Sequence, residues 1–289
     1  MKKLTLLPAV CVLLSLLSET QQVRYSPVER WVVDGRLEAV QRKNEDRQRV
    51  LQELFQAAGC SNVTPQSVKK SKLGNVICVL PGEDERTVIV GAHFDHVDAG
   101  MGAVDNWAGA SLLPSLYQAL AGEKRRHTFV FIGFTDEEKG MVGSRAYLDS
   151  LAPEELEKPL AMINLDTLGL NHTEVWVETA DKTLSIWATA VAKAKQLPLT
   201  GVNVGRVGDT DSTSFSNRSI PAITFHSLTQ ETLPILHTNR DVLTAVKRDD
   251  LYSSYQFLAA YLAFVDARID GALRDAMKEK RPSLRKDTK

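Results

Sequence analysis

Apolar positions along this chain follow two rhythms. Short, nearly continuous apolar runs, "NVICVL" (75–80), "TVIVGAH" (87–93), "TFVFIGF" (128–134), "LAMINLD" (160–166), "EVWVET" (174–179) and "PAITFH" (221–226), have the length and composition of strands. Between them, at 107–121, 141–150, 181–196 and 249–268, apolar residues recur at helical spacing. Ahead of the first run, Leu37, Val40, Val50, Leu51, Leu54 and Phe55 predict one long helix from Gly35 to Ala58, ending at Gly59.

Several of the strand runs are apolar on both faces, as strands buried between helical layers are. Their alternation with helices predicts a single α/β sandwich around a mostly parallel sheet. In such folds ligands gather beyond the carboxyl ends of the strands. Polar clusters follow several of these strands, so the pattern itself says where to look for chemistry.

Composition narrows the reading. The chain has 289 residues, 43% hydrophobic and 25% charged, with a net charge of −1. That balance gives no electrostatic footprint for nucleic acid or anionic lipid, and neither is expected as a partner. The amino terminus, "MKKLTLLPAVCVLLSLLSET", has two lysines and then an apolar run from Leu4 to Leu17, too short to span a bilayer. Residues 1–20 therefore read as a secretory signal peptide, giving an exported, periplasmic or secreted protein with no integral span once the signal is removed. A lipid anchor at Cys11 is a lesser alternative, because Val10 is bulky for that processing. Cys60 and Cys78 remain in the mature chain, either as a disulfide or as two buried thiols. Residues 271–289, containing "KEKRPSLRKDTK", read as a basic, mobile tail.

The polar clusters are individually ambiguous. In "GAHFDH", His93 and Asp95 lie two apart at a strand end and point the same way in extended chain. They suit a metal-bound imidazole backed by a carboxylate, or an ordinary hydrogen-bonded pair. In "GAVDNWAG", Asp105 is a candidate ligand or a helix N-cap. "FTDEEKGMVGS" ends a strand on Asp136, Glu137 and Glu138, either a solvated acidic loop or acids gathered around cations. Asp166 ends another strand in "MINLDTLG", and His237 lies in "ILHTNRD". Taken together, two histidines and several carboxylates at strand ends suit zinc, and a central acid flanked by a histidine and an acid on each side describes a two-metal hydrolytic site.

These motifs, in this order, resemble the two-zinc aminopeptidase family that includes bacterial leucyl aminopeptidases and aminopeptidase Y, related to glutamate carboxypeptidase II and glutaminyl cyclase. The resemblance spans about residues 74–264 and rests on "GAHFDH", "GAVDNWAG", "DEEKGMVGS", "NLD" and "HTNRD". It implies a zinc exopeptidase fold, a three-layer α/β/α sandwich on a mixed, mostly parallel sheet, over residues 21–270. It implies two zinc ions per chain, one held by His93 and Asp166, the other by Glu138 and His237, with Asp105 bridging. Glu137 would act as general base and acid on the zinc-bound water, Asp95 would stand behind His93, and the Asp105–Asn106 peptide would be cis. The implied reaction removes N-terminal residues from peptides with a free N-terminus.

Some residues depart from the family pattern. Where the family has Ser-Asp-His ahead of a phenylalanine, this chain reads "TDSTSF" (210–215): Asp211 and Phe215 match and Ser212 replaces histidine. Asp211, Phe215 and the strand-end His226 are the candidates for substrate contact. Trp107 either walls the cleft or packs, and Pro114 is expected to kink its helix. A glutaminyl cyclase of this fold, with one zinc, has Asp-Ser where Asp105-Asn106 stand here. A carboxypeptidase would need a cationic pocket, for which Arg145, Arg206, Arg218 and Arg240 are available. A catalytically inactive binding relative would have lost metal ligands, all five of which are present. Oligomeric state, side-chain preference and metal identity are left open; cobalt or manganese suits the same donors.

Overall fold

The structure, a computed structural model, describes residues 23–69, 71–203 and 208–280. The expected signal peptide and the end of the expected tail lie outside these residues. Eight strands form one sheet in the order β1-β2-β4-β3-β5-β8-β6-β7. They are β1 (Val63–Ser67), β2 (Gly74–Leu80), β3 (Asp84–His93), β4 (His127–Phe134), β5 (Pro159–Leu165), β6 (Glu174–Trp176), β7 (Thr200–Val202) and β8 (Ala222–His226). β4, β3, β5 and β8 pair parallel at the centre. β1 and β2 join antiparallel on one side, and β6 pairs antiparallel with β8 on the other. The sheet is mixed and mostly parallel, as the alternating pattern predicts.

Helices cover both faces: α1 (Arg30–Glu38), α2 (Asn44–Ala57), α3 (Ala108–Ala121), α4 (Val142–Ser150), the single turn α5 (Pro153–Leu156), α6 (Lys182–Lys195), α7 (Asp211–Ser216), α8 (Arg248–Arg268) and α9 (Gly271–Lys280). The strand period of two sorts side chains between them. Val88, Val90 and Ala92 of β3 enter the larger core with Leu37, Phe55, Leu112, Leu184 and Leu258. Ile89, between them in sequence, enters the smaller core with Val130, Tyr147 and Phe215. Because the central strands are parallel, their carboxyl ends share one edge. His93 stands in register with Phe134, two residues before Asp136, so ligand-bearing loops emerge side by side.

Three expectations from sequence need correcting. The helix over 35–58 is two helices, because no apolar residue stands between Val40 and Val50 and the chain breaks at 39–43. The strand at 174–179 ends at Trp176. The segment from 271 is helical through Lys280, and Arg274 is buried, its Nη1 donating 2.8 Å to the Pro159 carbonyl and its Nη2 to that of Leu156. Cys60 and Cys78 form a disulfide that ties the chain after α2 to β2.

Candidate metal centre

β3 ends at His93, a buried imidazole whose Nδ1 lies 3.1 Å from the Asp95 carbonyl oxygen. A ring nitrogen facing a carbonyl carries a proton, so Nε2 is the nitrogen that can be given to a metal. Nε2 points at two acids, Asp105 Oδ1 at 3.2 Å and Asp166 Oδ1 at 3.7 Å. The other oxygen of Asp105, Oδ2, faces His237 Nε2 at 3.2 Å, and Glu138 Oε2 lies 3.1 Å from the same nitrogen. Asp105 therefore addresses a histidine with each carboxylate oxygen. His93, Asp105 and Asp166 form one cluster able to hold a cation, and Asp105, Glu138 and His237 form a second that shares Asp105. The five residues expected as ligands all meet here.

Local structure explains the aim of each side chain. Asp105 sits in a turn, Ala103–Trp107, whose Asp105–Asn106 peptide is cis, as the resemblance implies. The turn is stitched to the end of β5: Asn106 Nδ2 donates 2.8 Å to the Leu165 carbonyl, and Asn106 Oδ1 accepts from the Thr167 amide at 3.1 Å. Gly109 is required beside it, because a Cβ there would lie 2.4 Å from Asn106 Oδ1 and 2.8 Å from the Leu165 oxygen. On the other side the Asp241 carboxylate accepts from the Val104 and Asp105 amides, at 2.7 and 3.1 Å. Thr167 donates 2.8 Å to Asp166 Oδ1 and orients that acid.

The three successive acids after β4 divide their work. Asp136 is buried, holds φ 53°, and pairs with Lys139 Nζ at 2.9 Å. Glu137 and Glu138 turn into the site. Gly140 supplies φ +96° for the turn, and Gly143 allows α4 to approach Thr135, whose oxygen would lie 2.5 Å from a Cβ. Asp95 serves this turn more directly than it serves His93. Its Oδ1 accepts the Glu137 amide at 3.0 Å and its Oδ2 the Glu138 amide at 3.4 Å, whereas Oδ1 stands 3.6 Å from His93 Nδ1.

Without cations, so many carboxylates distort each other's chemistry. Burial, reinforced by Asp211, Asp166 and Asp105, pushes Glu137 up to about 9, against the pull of His93. Burial and Asp105 push Glu138 to about 7. His237 is raised to about 9 by its hydrogen bond to Asp105. Burial opposes a charge on His93, yet Glu137 and the nearby carboxylates of Asp105, Asp166 and Asp95 raise it well above normal. The cluster has an appetite for positive charge that protons satisfy when metal does not.

A cavity of about 360 Å³ opens over these residues. Glu137 lines it, and so do Met141, Trp176, Leu228 and Leu236, which give it an apolar wall. His226 lines it too. Its Nδ1 accepts the Leu228 amide at 3.0 Å and burial lowers its pKa to about 4, so the ring is neutral with the proton on Nε2. Asp211 and Phe215 do not reach the wall. They lie on the inner side of α7, where Phe215 is fully buried against Phe134 and Tyr147 and Asp211, also buried, is pushed up to about 7 chiefly by that burial. The expected contact by Phe215 is thus corrected to a core role, because a helical turn rotates it away from the cleft. Trp107 packs as well, its Nε1 donating 3.1 Å to the carbonyls of Arg36 and Leu37. Trp176, Leu228 and Leu236 carried no sequence signal beyond apolarity.

Residues 75–262 match the profile of Peptidase family M28. The chain belongs to that family. The aminopeptidase YwaD of Bacillus subtilis is 26% identical over 211 residues, covering 70% of this chain and 46% of the relative. Leucine aminopeptidase 2 of Trichophyton equinum is 40% identical over 96 residues, 33% of this chain and 19% of that protein. The chain thus spans about half or less of the length of these relatives. Among solved structures, the Legionella pneumophila LapA aminopeptidase superposes with a TM-score of 0.72 at 19% identity, covering 83% of this chain and 72% of that one. An Acidobacteriales bacterium glutaminyl cyclase superposes with a TM-score of 0.65 at 13% identity, covering 83% and 96%. At these identities the structural likeness speaks for the fold.

Proposed function

We propose that this M28 family member is a co-catalytic two-zinc aminopeptidase that removes N-terminal residues from peptides. The observation that carries the reading is Asp105, whose two oxygens face His93 and His237 at 3.2 Å each, with Asp166 and Glu138 completing two clusters that share it. The donors suit zinc: imidazole nitrogens and carboxylates, with Glu138 Oε1 buried and lacking a hydrogen-bond partner among the described residues. His93 and Asp166 would hold one ion, Glu138 and His237 the other, and Asp105 both. Bound there, zinc supplies Lewis-acid polarisation of the scissile carbonyl and a water acidic enough to attack near neutral pH.

The protein's own residues do the rest. Glu137 lines the cavity without being needed as a ligand, and its carboxylate takes the proton of the attacking water and returns it to the leaving amine. Cations held beside Glu137 would favour its ionised form, which the first half of that transfer requires. Asp95 fixes the backbone of the turn that aims Glu137. The surplus of carboxylates attracts a cationic α-amine, and Met141, Trp176, Leu228 and Leu236 fit an apolar first side chain. Export is part of the proposal, supported by the lysine-led apolar amino terminus and by the Cys60–Cys78 disulfide, a bond that persists in oxidising compartments.

The test is hydrolysis of aminoacyl-p-nitroanilides, free and N-acetylated, before and after chelation, beside cyclisation of a peptide with N-terminal glutamine. Release from free apolar substrates only, abolished by chelator and restored by zinc, is expected. Cyclisation without hydrolysis would overturn the peptidase reading in favour of a cyclase. Inactive protein that zinc does not restore would leave a binding module.

A further inference from the structure

The matched family region begins at residue 75, yet the loops that carry His93 and Asp105 are gripped from outside it. Arg47, on α2, is fully buried. Its Nη1 donates 2.9 Å to the Phe94 carbonyl, the residue between His93 and Asp95. Its Nη2 donates to the carbonyls of Met101 and, at 3.0 Å, of Gly102, which open the turn bearing Asp105. Its Nε donates 2.7 Å to the Gln41 carbonyl, and its guanidinium carbon lies 5.7 Å from the centroid of a Trp107 ring. One turn earlier on the same helix, Asn44 accepts the His96 amide and donates to the His96 carbonyl, both at 3.2 Å.

A buried guanidinium bonded only to carbonyls is an unusual expense, since burial outweighs the nearby acids and pulls its pKa down to about 10. It remains protonated at neutral pH, and Asp241, Asp95 and Asp105 are the acids whose charge favours it. The planar fork reaches two loops at once, which an ammonium cannot do. At the entry to the Asp105 turn, Arg47 holds the carbonyls of 101 and 102 while Asp241 holds the amides of 104 and 105, so the chain leading to Asp105 is held on either side of Ala103.

We infer that Arg47 is a positioning residue of the metal centre: α2, through the Arg47 fork and Asn44, sets the spacing between the His93 loop and the Asp105 turn. This rests on the two-metal reading above. A core arginine with a merely structural role would affect stability alone; a spacer between two ligand loops must also affect how tightly the ligands hold metal.

The experiment titrates zinc into the metal-stripped full chain by calorimetry, with kcat and KM measured at saturating zinc. Arg47→Lys keeps the charge and loses the fork. It is expected to bind zinc roughly 10–100-fold more weakly, the usual cost of removing an outer partner of metal ligands, and to lose kcat with little change in KM. Arg36→Lys is the control. Arg36 is buried but bonded to Ser115 and Gln118 of α3, and its replacement is expected to lower the melting temperature with zinc affinity unchanged. Asn44→Ala, partly exposed at the start of α2, carries the test if Arg47→Lys does not fold, and is expected to weaken zinc in the same direction by a smaller factor. Folded Arg47→Lys with wild-type zinc affinity and kcat, or Asn44→Ala with neither changed, overturns the inference. Wild-type protein that takes up no zinc overturns the metal reading beneath it, a result distinguishable from either.

Discussion

Replacing Asp95 with asparagine isolates a carboxylate that touches no expected ligand atom directly. The side chain is 2% exposed and accepts the Glu137 amide at 3.0 Å and the Glu138 amide at 3.4 Å. A hydrogen bond to a charged acceptor contributes about 1.5–3 kcal/mol, and a neutral one about 0.5–1.5. Asparagine can keep the shorter bond through its oxygen, losing about 1 kcal/mol. Its nitrogen then faces the Glu138 N–H, and a buried donor without an acceptor costs about 1–3 kcal/mol more. If about 2 kcal/mol of this falls on the turn that aims both glutamates, zinc binding weakens roughly 30-fold, at about 1.4 kcal/mol per decade. The assay is competition for zinc against a chromophoric chelator, with kcat/KM at saturating metal. Zinc affinity and kcat/KM equal to wild type would refute the reasoning, and would mean that the turn is held by its glycines and by Asp136–Lys139 alone.

Other expectations follow from the same geometry. Cys60→Ser with Cys78→Ser opens a link across 18 residues of sequence and should cost roughly 3 kcal/mol in denaturant unfolding; no change would show the tie between α2 and β2 to be redundant. Gly109→Ala drives a Cβ to 2.4 Å from Asn106 Oδ1 and should destabilise the protein by about 1–3 kcal/mol while loosening the Asp105 turn, read as a lower melting temperature and weaker zinc uptake. Metal-free protein should lose stability as pH rises. Glu137 is raised from 4.5 to about 9, so the folded state keeps its proton longer than the unfolded chain, and that stabilisation is complete below 4.5 and gone above 9. His237, raised from 6.5 to about 9, adds a term that is full below 6.5 and is lost over the same rise. The melting temperature should therefore fall between pH 5 and 9 in chelator, with the gain from zinc growing across that range. A metal-free melting temperature that rises with pH would reject the assignment.

The central strands were legible because they are buried on both faces, and their runs stop where the ligands begin: His93 closes β3 and Asp166 follows β5 directly. Parallel pairing then places those ends together without further information. What the pattern hid lies where packing overrides composition. β1 and β7 are short edge strands with exposed residues, and Pro65 sits in one of them. The break between α1 and α2 came from a polar stretch that still carries helical propensity. Phe215 reads as a cleft residue by motif, but α7 places it one turn from Asp211 on the face that packs against Phe134. Arg47 looked like any charge on an amphipathic helix, because its partners are carbonyls, which have no sequence signature.

The measurement that bears most directly on the two-metal account is zinc stoichiometry and turnover compared between wild type and Glu137→Gln. The account predicts about two zinc ions per chain in both proteins. It also predicts kcat on a free aminoacyl-p-nitroanilide lower by roughly 10²–10⁴-fold in the variant. A single ion in wild type, or a variant that turns over at the wild-type rate, would contradict it.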